Sequence, residues 1–207
     1  MNKVEWDEAA FRASIPAARE NVELAARFCE VGVTQQNWES HRPFVELVFY
    51  LCKLDYDIKV LTLQVLTDQS NRSVWERYLG LELYEALNTL PKAINRARIE
   101  MAKPTRTLLI PVALFDAAAQ TYRQTVKEIS SDKTFMSALS QVRNGVAAHH
   151  GLNKGKGMEV SIGWTLSAWK LAQTDSSAFQ SQFIEYTVKL GRAVQDFGAE
   201  IGSGQLG

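Results

Sequence analysis

Pro43-Phe44-Val45-Glu46-Leu47-Val48-Phe49-Tyr50-Leu51-Cys52-Lys53-Leu54-Asp55-Tyr56-Asp57-Ile58 opens the stretch that decides the fold. Phe44, Leu47, Val48, Leu51, Leu54, Ile58, Leu61 and Val65 recur every three or four residues. That is the spacing of one face of a helix with 3.6 residues per turn. Proline lacks the N–H that the first turn of a helix leaves unpaired, so Pro43 is placed to begin this helix. Thr67-Asp68-Gln69-Ser70-Asn71-Arg72 is placed to end it. An apolar stripe of that length must be covered by other elements, and the sequence on both sides supplies them.

Upstream, Phe11, Ile15, Ala18, Val22, Ala25 and Cys29 repeat at the same spacing within Trp6 to Glu30. They predict a helix that Pro16 kinks or splits in two. A polar stretch from Thr34 to Ser40 follows, and His41 reads as a solvated cap beside it. Downstream, Ser73-Val74-Trp75-Glu76 matches a capping box and predicts a third helix running toward Met101 with a bend at Pro91. Leu79, Leu83, Leu87, Leu90 and Ile94 form its buried side. A fourth helix is expected from Leu108 or Pro111 to Ser130, and Ser131-Asp132 caps a fifth from Lys133 to His150, closed by Gly151. A last helix spans Ser177 to Ile201. Between the last two, Met158 to Trp164 alternates apolar and polar residues, so a short extended segment is expected near 158–164. The fold expected is all-α, an up-and-down bundle of about six helices. It forms one domain over 1–201, with 1–33 as an N-terminal helical extension, 43–201 as the bundle and 202–207 as a flexible tail.

A chain of 207 residues buries about 70% of the surface its unfolded form exposes, so an ordinary core suffices to hold it. Lys and Arg total 23, as do Asp and Glu. Zero net charge argues against a protein that coats nucleic acid by bulk electrostatics and leaves room only for a local basic patch. Cys29 and Cys52 stand in apolar helical contexts without metal-ligand spacing, as reduced buried thiols do. The opening Met1-Asn2-Lys3-Val4-Glu5-Trp6-Asp7-Glu8 lacks the apolar run of a signal peptide, and no stretch reaches membrane-spanning length. The chain is read as cytoplasmic, with no membrane association, metal or cofactor expected.

No phosphate-binding Gly-rich loop, Gly-x-Ser-x-Gly or His-Glu-x-x-His is present, which leaves most familiar enzyme classes without support. What remains is Gln141-Val142-Arg143-Asn144-Gly145-Val146-Ala147-Ala148-His149-His150-Gly151 at the end of the fifth helix. At about 100° per residue, Phe135, Leu139, Val142 and Val146 form an apolar stripe with His149 at its side. Arg143 and His150 lie nearly in line on the stripe's edge, and Asn144 faces away.

Arg143-Asn144 followed by Ala148-His149-His150, on a penultimate helix with a final helix after it, resembles the motif of the HEPN superfamily. These are all-helical domains in which an Arg, usually followed by a polar residue, precedes a His after a short gap. The resemblance implies a bundle of the HEPN type, smaller than this chain. It also implies metal-independent endonucleolytic cleavage of RNA by a homodimer whose two motifs face one cleft, in a toxin–antitoxin, stress or defence setting. A protein antitoxin or the product of a neighbouring gene is the further partner implied. The residue types suit that chemistry. A His can take the proton of a ribose 2′-hydroxyl or give one to the leaving 5′-oxygen. The Arg143 guanidinium can bind the scissile phosphate bidentately, with Asn144 beside it. The family's Ala-His pairing points to His149, and alignment with Arg143 on the helix points to His150. Lys154 and Lys156 in the glycine-rich loop after the motif could hold RNA phosphates. So could Arg96, in the cluster Lys92, Arg96, Arg98, Lys103 and Arg106 that only Glu100 opposes in sequence. Trp164 and Trp169 could stack on bases or serve the core. The alternatives are a HEPN-like module that binds RNA or a nucleotide without cleaving it, and a helical protein-interaction module.

Overall fold

A computed structural model of the chain describes residues 7–34, 38–103, 110–149 and 176–203, with the description of 40, 141, 144–149, 176–180 and 203 confined to the backbone. Among the described residues every regular element is helical. They are α1 (Glu8–Gly32), α2 (Trp38–Thr67), α3 (Arg72–Asn88), α4 (Leu90–Met101), α5 (Val112–Ser131), α6 (Lys133–His149) and α7 (Ser176–Ser203). A single 3-10 turn, Gln69–Asn71, joins α2 to α3. Helices α3 and α4 meet at Thr89 with Pro91 in the first turn of α4, so they form one rod bent where the sequence predicts a bend. The described residues make an all-α bundle of six such rods.

Helix α2 is the central element and packs on α1, α3, α4 and α7. Its predicted stripe holds: Phe44, Leu47, Leu51, Leu54, Ile58 and Val65 are buried, with Val48 and Leu61 packed partly against the core. Pro43 does not begin the helix, which starts at Trp38. Trp38 lies against the backbone of Gly32, where an added Cβ would fall 2.1 Å from the indole, so the start of α2 touches the end of α1. His41 therefore sits within α2, half-buried, and not in a polar linker. Pro16 lies inside α1 without splitting it. Asp7 caps that helix by accepting from the Ala10 N–H at 3.0 Å.

The start of α3 also differs from the expected capping box. Asp68 takes the capping role one turn earlier, accepting from the Asn71 N–H and, at 2.9 Å, from Nε1 of Trp75. Glu76 pairs instead with Arg72 at 2.8 Å. The boundary between α5 and α6 agrees with the sequence, since Asp132 Oδ1 accepts from the Phe135 N–H at 2.9 Å. Helix α7 runs to Ser203, two residues past the expected end and into the expected tail.

Aromatic rings knit the core. Phe115 of α5 lies between Phe44 of α2 and Phe197 of α7, with centroids at 6.3 and 6.0 Å. Phe135 of α6 meets Tyr186 of α7 edge-on at 4.9 Å. Edge-on pairs set the ring's positive rim against a negative face. The hydroxyl of the buried Tyr122 donates to the carbonyl of Ala86 at 2.7 Å and so joins α5 to α3.

Candidate functional site

Helix α6 carries the motif, and both its ends of attachment follow from its residues. At its start, Asp132 caps the helix with one oxygen and accepts from Gln182 (3.0 Å) and Tyr186 (3.3 Å) of α7 with the other. Along its length Phe135, Leu139 and Val142 are buried, which is the predicted stripe as far as side chains are described. Helix α3 offers Gly80 to that stripe. A Cβ at Gly80 would meet Val142 and Leu139 at 3.5 and 3.6 Å, ordinary contact distances, so α3 and α6 lie against each other here.

One turn beyond Gly80 stands Tyr84, and over its ring, 5.8 Å from the centroid, lies the guanidinium of Arg143. A cation held over an aromatic face is attracted to the ring quadrupole by about 0.5–1 kcal/mol at an exposed site. Arg143 is exposed and makes no ion pair with a carboxylate among the described residues. No described carboxylate therefore consumes its donors.

Asn144 follows on α6, and His149 is the helix's last residue, about 9 Å of helical rise beyond Arg143. The side chains of both lie outside the description. His150, Lys154, Lys156, Trp164, Trp169 and the extended segment expected near 158–164 fall outside the described residues altogether.

Arg96 lies on α4, whose packing neighbours are α2, α3 and α5, and it faces Glu46 of α2 at 4.0 Å. The basic cluster to which it belongs is more neutral than its sequence suggests. Arg98 pairs with Asp116 at 2.5 Å and Lys103 with Glu100 at 2.6 Å, so carboxylates of α2 and α5 join the one visible locally.

Away from α6, a cavity of about 320 Å³ opens between α1, α2 and α7, walled by Phe11, the Asp55–Lys59 ion pair, Thr62, Thr187 and Arg192. The Thr62 hydroxyl is buried without a partner among the described residues. Partial burial pushes the thiols of Cys29 and Cys52 up from their ordinary value, helped by Glu46 and Asp55 respectively. Among the described residues no cluster of His, Cys, Asp and Glu could hold a metal ion, and no helix is long and apolar enough to cross a membrane.

Sequence reasoning missed Tyr84. Its only local signal is a ring one turn from a helical glycine, which says nothing of the arginine that reaches it. Comparison of the chain with protein-family models, with curated proteins and with solved structures finds no match in any of the three.

Proposed function

We propose that this chain is a metal-independent endoribonuclease of the HEPN type. The observation that carries the reading is Arg143: exposed, unpaired with any described carboxylate, and seated over Tyr84 on the same helix that ends at His149. A guanidinium spent in a buried ion pair could not bind phosphate, and no described carboxylate occupies this one.

In the proposed reaction His149 or His150 removes the proton of a ribose 2′-hydroxyl, whose oxygen attacks the adjacent phosphorus. The bond from phosphorus to the 5′-oxygen breaks, that oxygen takes a proton from an imidazolium, and the products carry 2′,3′-cyclic phosphate and 5′-hydroxyl ends. Arg143 neutralises the charge that builds on the phosphoryl oxygens, and Asn144 assists in placing it. In this reading the site is completed by two copies of the chain, each supplying basic groups to one cleft, as the resemblance implies. Lys154, Lys156 and Arg96 would then touch the RNA backbone. A toxin–antitoxin, stress or defence role, with an antitoxin or neighbouring-gene product as partner, belongs to the same reading.

The test is incubation of the pure chain with mixed RNA in excess EDTA. Expected are cyclic-phosphate ends, lost in Arg143→Ala and in the double variant His149→Ala/His150→Ala. RNA bound but uncleaved under every condition would replace the enzyme with a binding module, and no RNA binding at low salt would leave a protein-interaction module.

A further inference from the structure

Helix α1 has two apolar faces, and among the described residues only one of them is covered. Phe11, Ile15, Ala18, Val22, Ala25 and Cys29 turn toward the bundle, where Ala18 and Ala25 are buried. The opposite face carries Ala10, Ala17, Leu24 and Val31, one every seventh residue, with Phe28 beside them. Leu24 is 54% exposed, Phe28 63% and Val31 59%. Large side chains exposed singly are ordinary, but three together on one helix face mark an interaction surface. A seven-residue apolar repeat is the pattern by which one helix packs along another.

The charges bordering this stripe indicate the occupant. Glu20 and Arg27 lie two turns apart, on either side of Leu24, exposed and on the same edge of the stripe. Neither makes an ion pair among the described residues, whereas their neighbours Arg19 and Glu23 pair with each other at 2.9 Å. Rotating a second copy of α1 by half a turn about an axis beside Leu24 sets Glu20 of each copy against Arg27 of the other. Both pairs form at once, as a two-fold interface requires. A parallel two-fold pairing would instead carry the two Glu20–Arg27 edges to opposite sides of the interface, where neither charge meets its counterpart.

We propose that the outer face of α1 is a homodimer interface in which two copies of α1 pack antiparallel about a two-fold axis beside Leu24. The face is separate from the motif: α1 packs chiefly on α2, whereas α6 packs on α3 and α5. The inference is therefore independent of the ribonuclease reading, and RNA cleavage is not its readout.

Sedimentation velocity of the full chain, over roughly 1–100 µM to span interfaces of modest affinity, tests it. Leu24→Glu/Phe28→Glu changes only exposed side chains, so helicity by circular dichroism stays that of the parent while the particle mass falls by half. Glu20→Arg and Arg27→Glu each weaken self-association about tenfold, from two exposed attractions turned into repulsions. The double reversal Glu20→Arg/Arg27→Glu restores it, and the two single variants mixed together associate with each other. A parent chain that stays monomeric at 100 µM overturns the proposal. So does an oligomer whose mass ignores Leu24→Glu/Phe28→Glu, and so does a double reversal as weak as the singles.

Discussion

The Arg143 guanidinium lies 5.8 Å from the centroid of the Tyr84 ring, which ties the motif helix to α3 through two side chains distant in sequence. The ring holds the cation without neutralising it. A carboxylate in the same place would compete with a phosphate, whereas an aromatic face positions the guanidinium and leaves its N–H donors free. In the proposed enzyme Tyr84 is thus a positioning residue for Arg143.

Tyr84→Phe keeps the ring and should leave kcat/KM for RNA cleavage within about twofold of the parent. Tyr84→Leu should lower it about threefold to tenfold, the equivalent of a lost cation–π contact of about 1 kcal/mol. Steady-state cleavage of a fluorogenic RNA checks this, with melting curves to show that both variants are folded. Equal activity of Tyr84→Leu and parent would sink the positioning role.

Gly80 lies where α3 meets α6, and an alanine there meets Val142 at 3.5 Å and Leu139 at 3.6 Å, ordinary contact distances. Since glycine costs a helix about 0.8–1 kcal/mol relative to alanine, Gly80→Ala should raise the melting temperature by about 2–4 °C. Gly32→Ala makes the contrast. Its methyl would have to displace the Trp38 ring, so this variant should melt lower.

Asp132 serves α6 and α7 together, as cap for the Phe135 N–H and as acceptor for Gln182 and Tyr186. Asp132→Ala should cost about 1–3 kcal/mol in urea unfolding, combining a lost cap with two donors left short of a partner. Asp132→Asn retains a capping oxygen and should recover about half of that loss. An alanine variant as stable as the parent would mean that α6 is held by its apolar face alone.

Burial holds the Glu82 carboxyl above its ordinary value; Asp57 and Glu85 push the same way, and Lys53 opposes them. Between the ordinary value of 4.5 and the raised folded value, the folded chain binds more protons than the unfolded one. Stability from this group therefore rises as pH falls through that window, and its cost is fully present above it. Asp68 acts in the opposite sense. Hydrogen bonds from Trp75 and Asn71 hold its carboxyl below 3.8, so its contribution is intact above that pH and is lost as pH falls further. Urea unfolding at a series of pH values should show Glu82→Gln removing the gain in the first window. Asp68→Asn should remove the loss in the second. A Glu82→Gln profile parallel to that of the parent would contradict the assignment.

Local rules made much of this bundle readable. The stripe of α2, the bend near Pro91, the Asp132 cap and the buried face of α6 each depend on residues within two turns of one another. The misreadings share a cause. Pro43 was expected to start α2, but Trp38 packs on Gly32 and carries the helix back past the proline. The basic cluster on α4 reads as open because Glu46 and Asp116 are contributed by other helices.

The sequence by itself determined the all-helical class, most helix boundaries and the place of Arg143, Asn144 and His149 on one helix. These follow from side-chain period, capping chemistry and the fixed turn of the α-helix, which need no knowledge of neighbours. Only the tertiary structure decided that Arg143 rests on Tyr84, unpaired with any described carboxylate, and that Arg96 belongs to the Glu46 surface. It also decided which of the two apolar faces of α1 is covered. Each of these is a question of which helices meet, and packing settles that through residues far apart in the chain.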